Sequence, residues 1–228
     1  MSHIAKNTEA PDRAPAEENS IRERIMGAAF KAFMENGYAA ASTLEIATRA
    51  RVSKRDLYAN FRDKRSMLVA CIECRAAPMR LAPELPIPRS RAILASTLTA
   101  FGATVIREVC HPQVMAMHRL AIAEAERSPE VAQTLNTTRV GNRSALAELF
   151  AGAQKAGILG AGDPERMMEQ FFALLWGDLL LGRLLGVAAT PRPEEIDSRA
   201  RDATAAVLQL YANPKRLSEG LPRARPLR

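Results

Sequence analysis

Cysteine is scarce in this 228-residue chain: only Cys71, Cys74 and Cys110 occur. An odd, sparse set excludes a disulfide-stapled secreted framework and suits a reducing compartment. Cys71 and Cys74 have the C-x-x-C spacing, but they fall inside a helical run with no second pair and no histidine nearby. Packed or surface thiols are therefore preferred over zinc or redox chemistry there. Aromatic residues make up 5% of the chain, with one tryptophan and three histidines. There is no glycine-rich phosphate loop, no His-Glu-x-x-His, no Cys/His metal pattern and no nucleophile elbow. An enzyme is not expected, and no cofactor or metal is assigned. Long apolar runs are missing too. The most hydrophobic stretch, Phe171 to Leu185, is interrupted by Asp178 and Arg183 and falls short of the ~20 residues that span a bilayer. The first twenty residues contain no apolar segment of the kind a signal peptide or membrane anchor needs. A soluble, cytoplasmic protein is expected.

What is present is an ordinary globular composition with a basic excess. Hydrophobic residues make up 47%, enough for a buried core, and the net charge is +7. The charge favours an anionic partner, with nucleic acid preferred over a membrane surface.

Residues 5–19 are rich in Pro, Glu, Asp and Ala, so residues 1–19 are expected to form a disordered arm. Ser20 with Glu23 fits a capping box, and Ile21, Ile25, Ala28, Ala29, Ala32 and Phe33 recur at helical spacing until Asn36-Gly37 supplies a stop. Ser42 and Glu45 repeat the capping spacing ahead of a two-turn helix through Leu44, Ile46, Ala47 and Ala50. Ser53 caps another short helix through Leu57, Tyr58 and Phe61. Two short helices joined by so tight a turn predict a helix-turn-helix.

A fourth helix opens at Lys64 and keeps its period until Pro78; the three prolines of Pro83 to Pro88 then read as a linker. Five further helices are expected, near 89–109, 112–126, 128–157, 164–188 and 193–212. The reading is all-α, about nine helices, in two folded parts: a DNA-binding domain at 20–65 and a larger helical domain at 66–213. A flexible basic tail is expected at 214–228.

Basic residues concentrate in the turn region. Arg49, Arg51, Lys54, Arg55, Arg62, Lys64 and Arg65 face only Asp56 and Asp63. A phosphate backbone is bound by fixed cations and small hydroxyl donors, and Ser42, Thr43, Ser53 and Tyr58 lie beside them. A solvated basic face is the alternative, but coincidence with tandem capped helices favours double-stranded DNA.

The run Gly37-Tyr38, Leu44-Glu45-Ile46-Ala47, Val52-Ser53-Lys54-Arg55, Leu57-Tyr58, Phe61 and Asp63-Lys64 resembles the tetracycline-repressor (TetR) family of one-component regulators over roughly residues 20–70. The segment from His118 to Ala125, followed by Ser128-Pro129-Glu130, is similar to the C-terminal domains of one subgroup. The resemblance implies that Ser53 caps a recognition helix and that Lys54 and Arg55 stand where relatives address base edges. It also implies that Tyr58, Thr43 and Lys64 meet phosphates. Leu44 stands where some relatives carry arginine, implying an apolar contact such as a thymine methyl. Arg51 replaces the family's turn glycine, so either it accepts a strained conformation or the turn differs. Asp56 on the recognition helix either pairs with Arg55 or accepts from a cytosine.

The helix from Pro164 is apolar nearly all round and needs cover on every side. In the last helix Ile196, Ala200, Ala203, Val207 and Leu210 form a narrow seam for another helix. With Leu180 and Leu184 these residues are expected to form a homodimer interface, as in the family; two-fold symmetry would double the few base pairs one recognition helix reads. Gly182 and Gly186 either permit close helix approach or merely weaken the helix. Phe101, Met117, His118, Phe150, Phe172 and Trp176 are candidates to line an effector pocket, each also readable as core. The scarcity of charge on these central apolar faces suggests an apolar or aromatic small molecule. His111 and His118 with Cys110 raise metal sensing, but satisfied or exposed histidines are preferred. The expected function is a ligand-responsive repressor bound to a palindromic operator; the alternatives are an activator or an inducer-independent DNA binder.

Overall fold

The computed structural model describes residues 15–77 and 88–214. The expected linker falls almost wholly, and the basic tail and the start of the arm fall largely, outside the described residues. Ten helices follow one another: α1 Pro15–Ala40, α2 Thr43–Ala50, α3 Lys54–Asn60, α4 Lys64–Ala76, α5 Arg91–Val109, α6 Pro112–Ala123, α7 Pro129–Lys155, α8 Pro164–Trp176, α9 Leu179–Leu185 and α10 Pro193–Leu210. Among the described residues the one β element is an isolated bridge between Leu159 and Ala212. The fold is all-α, as the periodicity and cap signals predict. The chain divides into two compact units, and the division falls inside α4, between Cys71 and Ile72.

In the first unit α1 runs back to Pro15, so Ser20 lies within the helix and is not its cap. The expected stop is present: Gly37 leaves helical geometry at φ 77°, ψ 163°. Ile25, Ala29, Phe33, Ile46, Leu57, Met67 and Leu68, spread over four helices, form a fully or almost fully buried core. Removing such side chains from water is worth about 1.5–3 kcal/mol each and holds these short helices, which are too brief to persist alone. At the edge of that core the Arg22 guanidinium lies 4.3 Å over the Phe61 ring and donates to Asn60 O at 2.9 Å.

In the second unit α5 packs against α10, and α8 against both α10 and α7. Leu94, Leu98, Phe101 and Ile106 of α5 meet Met167, Phe171 and Leu175 of α8 and Ala200, Ala203 and Val207 of α10 in one core. By length and composition α5 is apolar enough to cross a membrane, but those same residues are buried here against protein.

The helix expected over 164–188 is in fact two. Gly177 adopts φ 44°, ψ −125°, a conformation that side chains with a Cβ avoid, and α9 starts afresh after it. Gly182 within α9 and Gly186 just after it also have distinct reasons. A Cβ on Gly182 would stand 2.9 Å from Ala188 Cβ, so close approach decides that position, whereas Gly186 is the left-handed C-cap.

Candidate functional site

The first candidate site is the exposed tip of the small unit, where α2 and α3 begin. Both starts are fixed by local chemistry. Ser42 Oγ accepts from Glu45 N at 3.1 Å, which satisfies one amide that the first turn leaves unpaired. The reciprocal half of the expected capping box is absent, because the Glu45 carboxylate accepts from Asn36 Nδ2 and pairs with Arg49 at 2.7 Å. Arg49 also bonds Glu35, and that hydrogen bond holds its guanidinium above the ordinary arginine range. Arg49 is thereby a strut between α1 and α2.

At α3 the capping box is complete. Asp56 N donates to Ser53 Oγ at 3.0 Å, and Ser53 N and Oγ donate back to Asp56 Oδ2 at 3.3 and 2.7 Å. Asp56 therefore acts on the helix start, a role the sequence reading left open. Between the helices, Arg51 sits at φ 54°, ψ 48°, the left-handed geometry that costs a non-glycine residue ~1 kcal/mol. Of the two possibilities for this turn, the strained one is realised.

These caps present the first residues of both helices to solvent. Leu44 is 69% exposed, unusual for a large apolar side chain on a short helix. Lys54 and Arg55 are exposed at the first two positions of α3. Tyr58, one turn on, is 44% exposed and its hydroxyl lies 3.3 Å from Thr43 Oγ1. The Lys54 ammonium is 6.0 Å from the Tyr58 ring centroid. The two hydroxyls and the lysine thus lie together, and Leu44, Arg51 and Arg55 are exposed on the same pair of short helices and the turn between them. Such a set donates hydrogen bonds to phosphate oxygens and to purine edges.

Lys64 differs from its expected role. Its ammonium donates to Tyr38 O, Ala39 O and Ala41 O at 2.7, 3.0 and 3.2 Å and lies 4.6 Å from the Tyr38 ring centroid. All three ammonium hydrogens are committed to the carbonyls that end α1. Lys64 holds the chain between α1 and α2, and so positions Ser42 and Thr43, in place of the expected phosphate contact.

The second candidate site is a cavity of about 460 Å³ in the larger unit. Four of the six residues expected there line it: Met117, His118, Phe172 and Trp176. Phe101 and Phe150 do not. Phe101 is packed against Phe171 and Phe172 at 6.5 and 6.2 Å between ring centroids, and Phe150 is fully buried in the core. Further apolar wall comes from Ile72, Val105, Val109, Val114 and Leu180. Arg75 of α4 and Arg139 and Arg143 of α7 also reach it, contrary to the expectation of few charges there. Sequence reasoning missed them because a charged residue on a helix reads as solvated face. His118 Nδ1 bonds Val114 O at 2.8 Å; a carbonyl only accepts, so this nitrogen carries the proton. His111 has a structural role, its Nδ1 accepting from Gln113 N at 3.3 Å at the start of α6.

Most of the residues expected at a dimer interface are used within the chain. Ile196, Ala200, Ala203 and Val207 are buried against α5 and α8, so the seam on α10 is real but is filled by the chain's own core. Leu180 lines the cavity, Leu184 is half-buried, and Leu210 is exposed. A further group of uncovered apolar residues lies on and beside α9: Leu181 is 56% exposed, Leu185 68% and Val187 81%, with Leu174 nearby in sequence also exposed.

No curated protein matches the chain. Solved structures do. A TetR transcriptional regulator from Agrobacterium tumefaciens is 26% identical, with a TM-score of 0.70 over 91% of this chain and 100% of its own. The flavonoid-responsive regulator FrrA is also 26% identical, with a TM-score of 0.69 over 90% of this chain and 100% of its own. A TetR-family regulator from Mesorhizobium loti MAFF303099, 22% identical, shares the fold with a TM-score of 0.67 over 86% of this chain and 98% of its own. The model for bacterial regulatory proteins of the tetR family matches residues 25–71, and that for the C-terminal domain of AefR-like transcriptional repressors matches residues 96–213. Two consecutive matches that cover both folded units place the chain in the TetR family of transcriptional regulators, as a DNA-binding regulator and not an enzyme.

Proposed function

We propose that this regulator is a cytoplasmic homodimeric repressor that holds a palindromic operator and releases it when a small molecule fills the cavity of the larger unit. The observation that carries the reading is the cavity itself: about 460 Å³, walled mainly by apolar side chains, in a chain whose other unit is a DNA-binding helix-turn-helix. An apolar concavity of this size beside a few polar groups suits a small-molecule ligand better than a purely structural role.

On the DNA, Lys54 and Arg55 address base edges in the major groove. Tyr58 and Thr43 bond phosphates, Ser42 and Ser53 orient the helix starts, and Leu44 meets a thymine methyl. Exposed Leu181, Leu185 and Val187 support a dimer, because side chains of this size seldom remain in water as a group. Ligand and DNA are linked through α4, which begins at Lys64, clamped to the end of α1, and carries the cavity-lining residues Ile72 and Arg75 further along. A ligand that prefers one position of α4 shifts the population of dimers able to fit successive grooves. The flavonoid response of FrrA supports a ligand with an aromatic body.

The test is operator selection from genomic DNA with purified protein, then titration of the best site with candidate aromatic compounds. A palindromic site, bound by a dimer and released by ligand, is expected. Trp176→Ala should alter ligand response while leaving operator affinity within about twofold; equal loss of both would count against the cavity as the effector site. A reporter that loses expression when the regulator is supplied separates repression from activation.

A further inference from the structure

The cavity of the larger unit has a charge asymmetry that an apolar ligand would leave unused. Three arginines line it, Arg75, Arg139 and half-buried Arg143, and among the described residues no aspartate or glutamate does. Arg139 and Arg143 are four residues apart on α7, on one face of the helix, where like charges repel. Their present partners are weak. Arg139 donates to the neutral amide oxygen Asn136 Oδ1 at 2.9 and 3.3 Å. Arg143 lies 5.2 Å over the Phe172 ring, and its nearest carboxylate, largely exposed Glu169, is 3.9 Å away. A guanidinium carries five N–H donors in a fixed fork, so both retain donors beyond these contacts.

We infer that the effector is an amphipathic organic anion. Its aromatic or aliphatic body packs against Met117, Phe172 and Trp176, and its carboxylate, sulfonate or ionised phenol lies against Arg139 and Arg143, with Arg75 adding to the positive field. Paired, planar donors from two arginines suit an oxyanion better than a neutral carbonyl or hydroxyl, since charge-assisted bonds are about twice as strong. Phe172, which lines the cavity, also steadies Arg143 over its ring. The inference rests on the cavity being the effector site and adds the ligand's charge.

The test uses two probes with one aromatic body: 1-anilinonaphthalene-8-sulfonate, an anion, and N-phenyl-1-naphthylamine, which lacks the sulfonate. Binding to the full-length protein is read by energy transfer from Trp176, the chain's sole tryptophan and a cavity residue. The anion should bind about tenfold or more tightly, as a charged hydrogen-bonded contact warrants. Arg139→Gln/Arg143→Gln should bring it down to the level of the neutral probe. Arg143→Lys, which keeps the charge, should retain most of the preference. Equal binding of the two probes by the unmodified protein overturns the inference while leaving the cavity as a ligand site. Failure of both probes to draw energy from Trp176 overturns the cavity reading as well. If the double variant loses both probes together, Arg143→Lys decides: a retained preference supports the inference and a lost one overturns it.

Discussion

The hydroxyl oxygens of Thr43 and Tyr58 lie 3.3 Å apart, a hydrogen bond from the first residue of α2 to the middle of α3. It fixes the spacing of the two groups proposed to meet phosphates. Tyr58→Phe is expected to weaken operator binding about five- to tenfold, the worth of roughly one hydrogen bond. Its melting temperature should stay within roughly 2 °C of the parent, because the pair is exposed. Thr43→Val should act in the same direction, and the double variant should lose less than the sum, since both remove one shared contact. Fluorescence anisotropy with a labelled operator measures all three; strict additivity would show that the bond contributes nothing to binding.

Asp56 and Ser53 exchange hydrogen bonds at the start of α3, so Asp56 works on the helix start. Asp56→Ala should cost about 1 kcal/mol of stability, the usual worth of a cap, and weaken binding to every operator variant alike. A base-reading role would instead relax preference at one position. Binding selections on randomised operators, run beside thermal melts, separate the two outcomes.

Arg51 holds a left-handed backbone at φ 54° in the turn between α2 and α3. Arg51→Gly removes that strain and is expected to stabilise the protein by about 0.5–1 kcal/mol. The same change removes an exposed cation beside the recognition helix, so operator affinity should fall and the slope of log affinity against log salt should flatten by about 1. Stability and binding thus move in opposite directions. Denaturant melts and a salt titration test them separately, and loss of stability would mean that Arg51 makes a contact worth more than its strain.

The parts of the molecule legible in the sequence are those set by neighbours in the chain. Ser42, Ser53 and Asn36-Gly37 mark helix ends because capping is a matter of three or four residues, and the fold class follows from apolar period. The Gly177 break is not legible in the sequence, because a lone glycine in an apolar run carries no second signal. Ile196, Ala200, Ala203 and Val207 of the α10 seam are buried while Leu210 is exposed, and periodicity says that a face is covered without saying by what. Lys64 and Arg139 show the same limit for charge: the carbonyls around one and the cavity beside the other are brought together by residues distant in the sequence.

Cys74 is exposed whereas Cys71 and Cys110 are buried. Burial pushes the Cys110 thiol upward, outweighing the opposing pull of the Arg183 guanidinium. A thiol reagent at pH 8 should therefore modify one cysteine quickly and the other two only after denaturant is added. Because the folded value exceeds the unfolded one near 9.0, this group's contribution to stability is intact below that pH and declines above it. Three fast thiols would show that the helices around Cys71 and Cys110 open readily.

Leu181 and Leu185 stand one helical turn apart on α9, 56% and 68% exposed, while Ile196 on α10 is buried in the chain's own core. Both faces are apolar, yet they should respond to substitution in opposite ways. Leu181→Asp/Leu185→Asp is expected to leave a folded monomer with near-parental helicity that no longer binds a palindromic operator, since charge on an apolar contact between copies prevents association. Ile196→Ala should instead cost about 2–5 kcal/mol of folding stability through the cavity it leaves, without directly removing contact surface between copies. Sedimentation of the first variant and denaturant melts of the second make the comparison. A dimeric Leu181→Asp/Leu185→Asp protein would move the interface away from α9, toward the polar outer face of α10 or onto surfaces that a single chain does not single out.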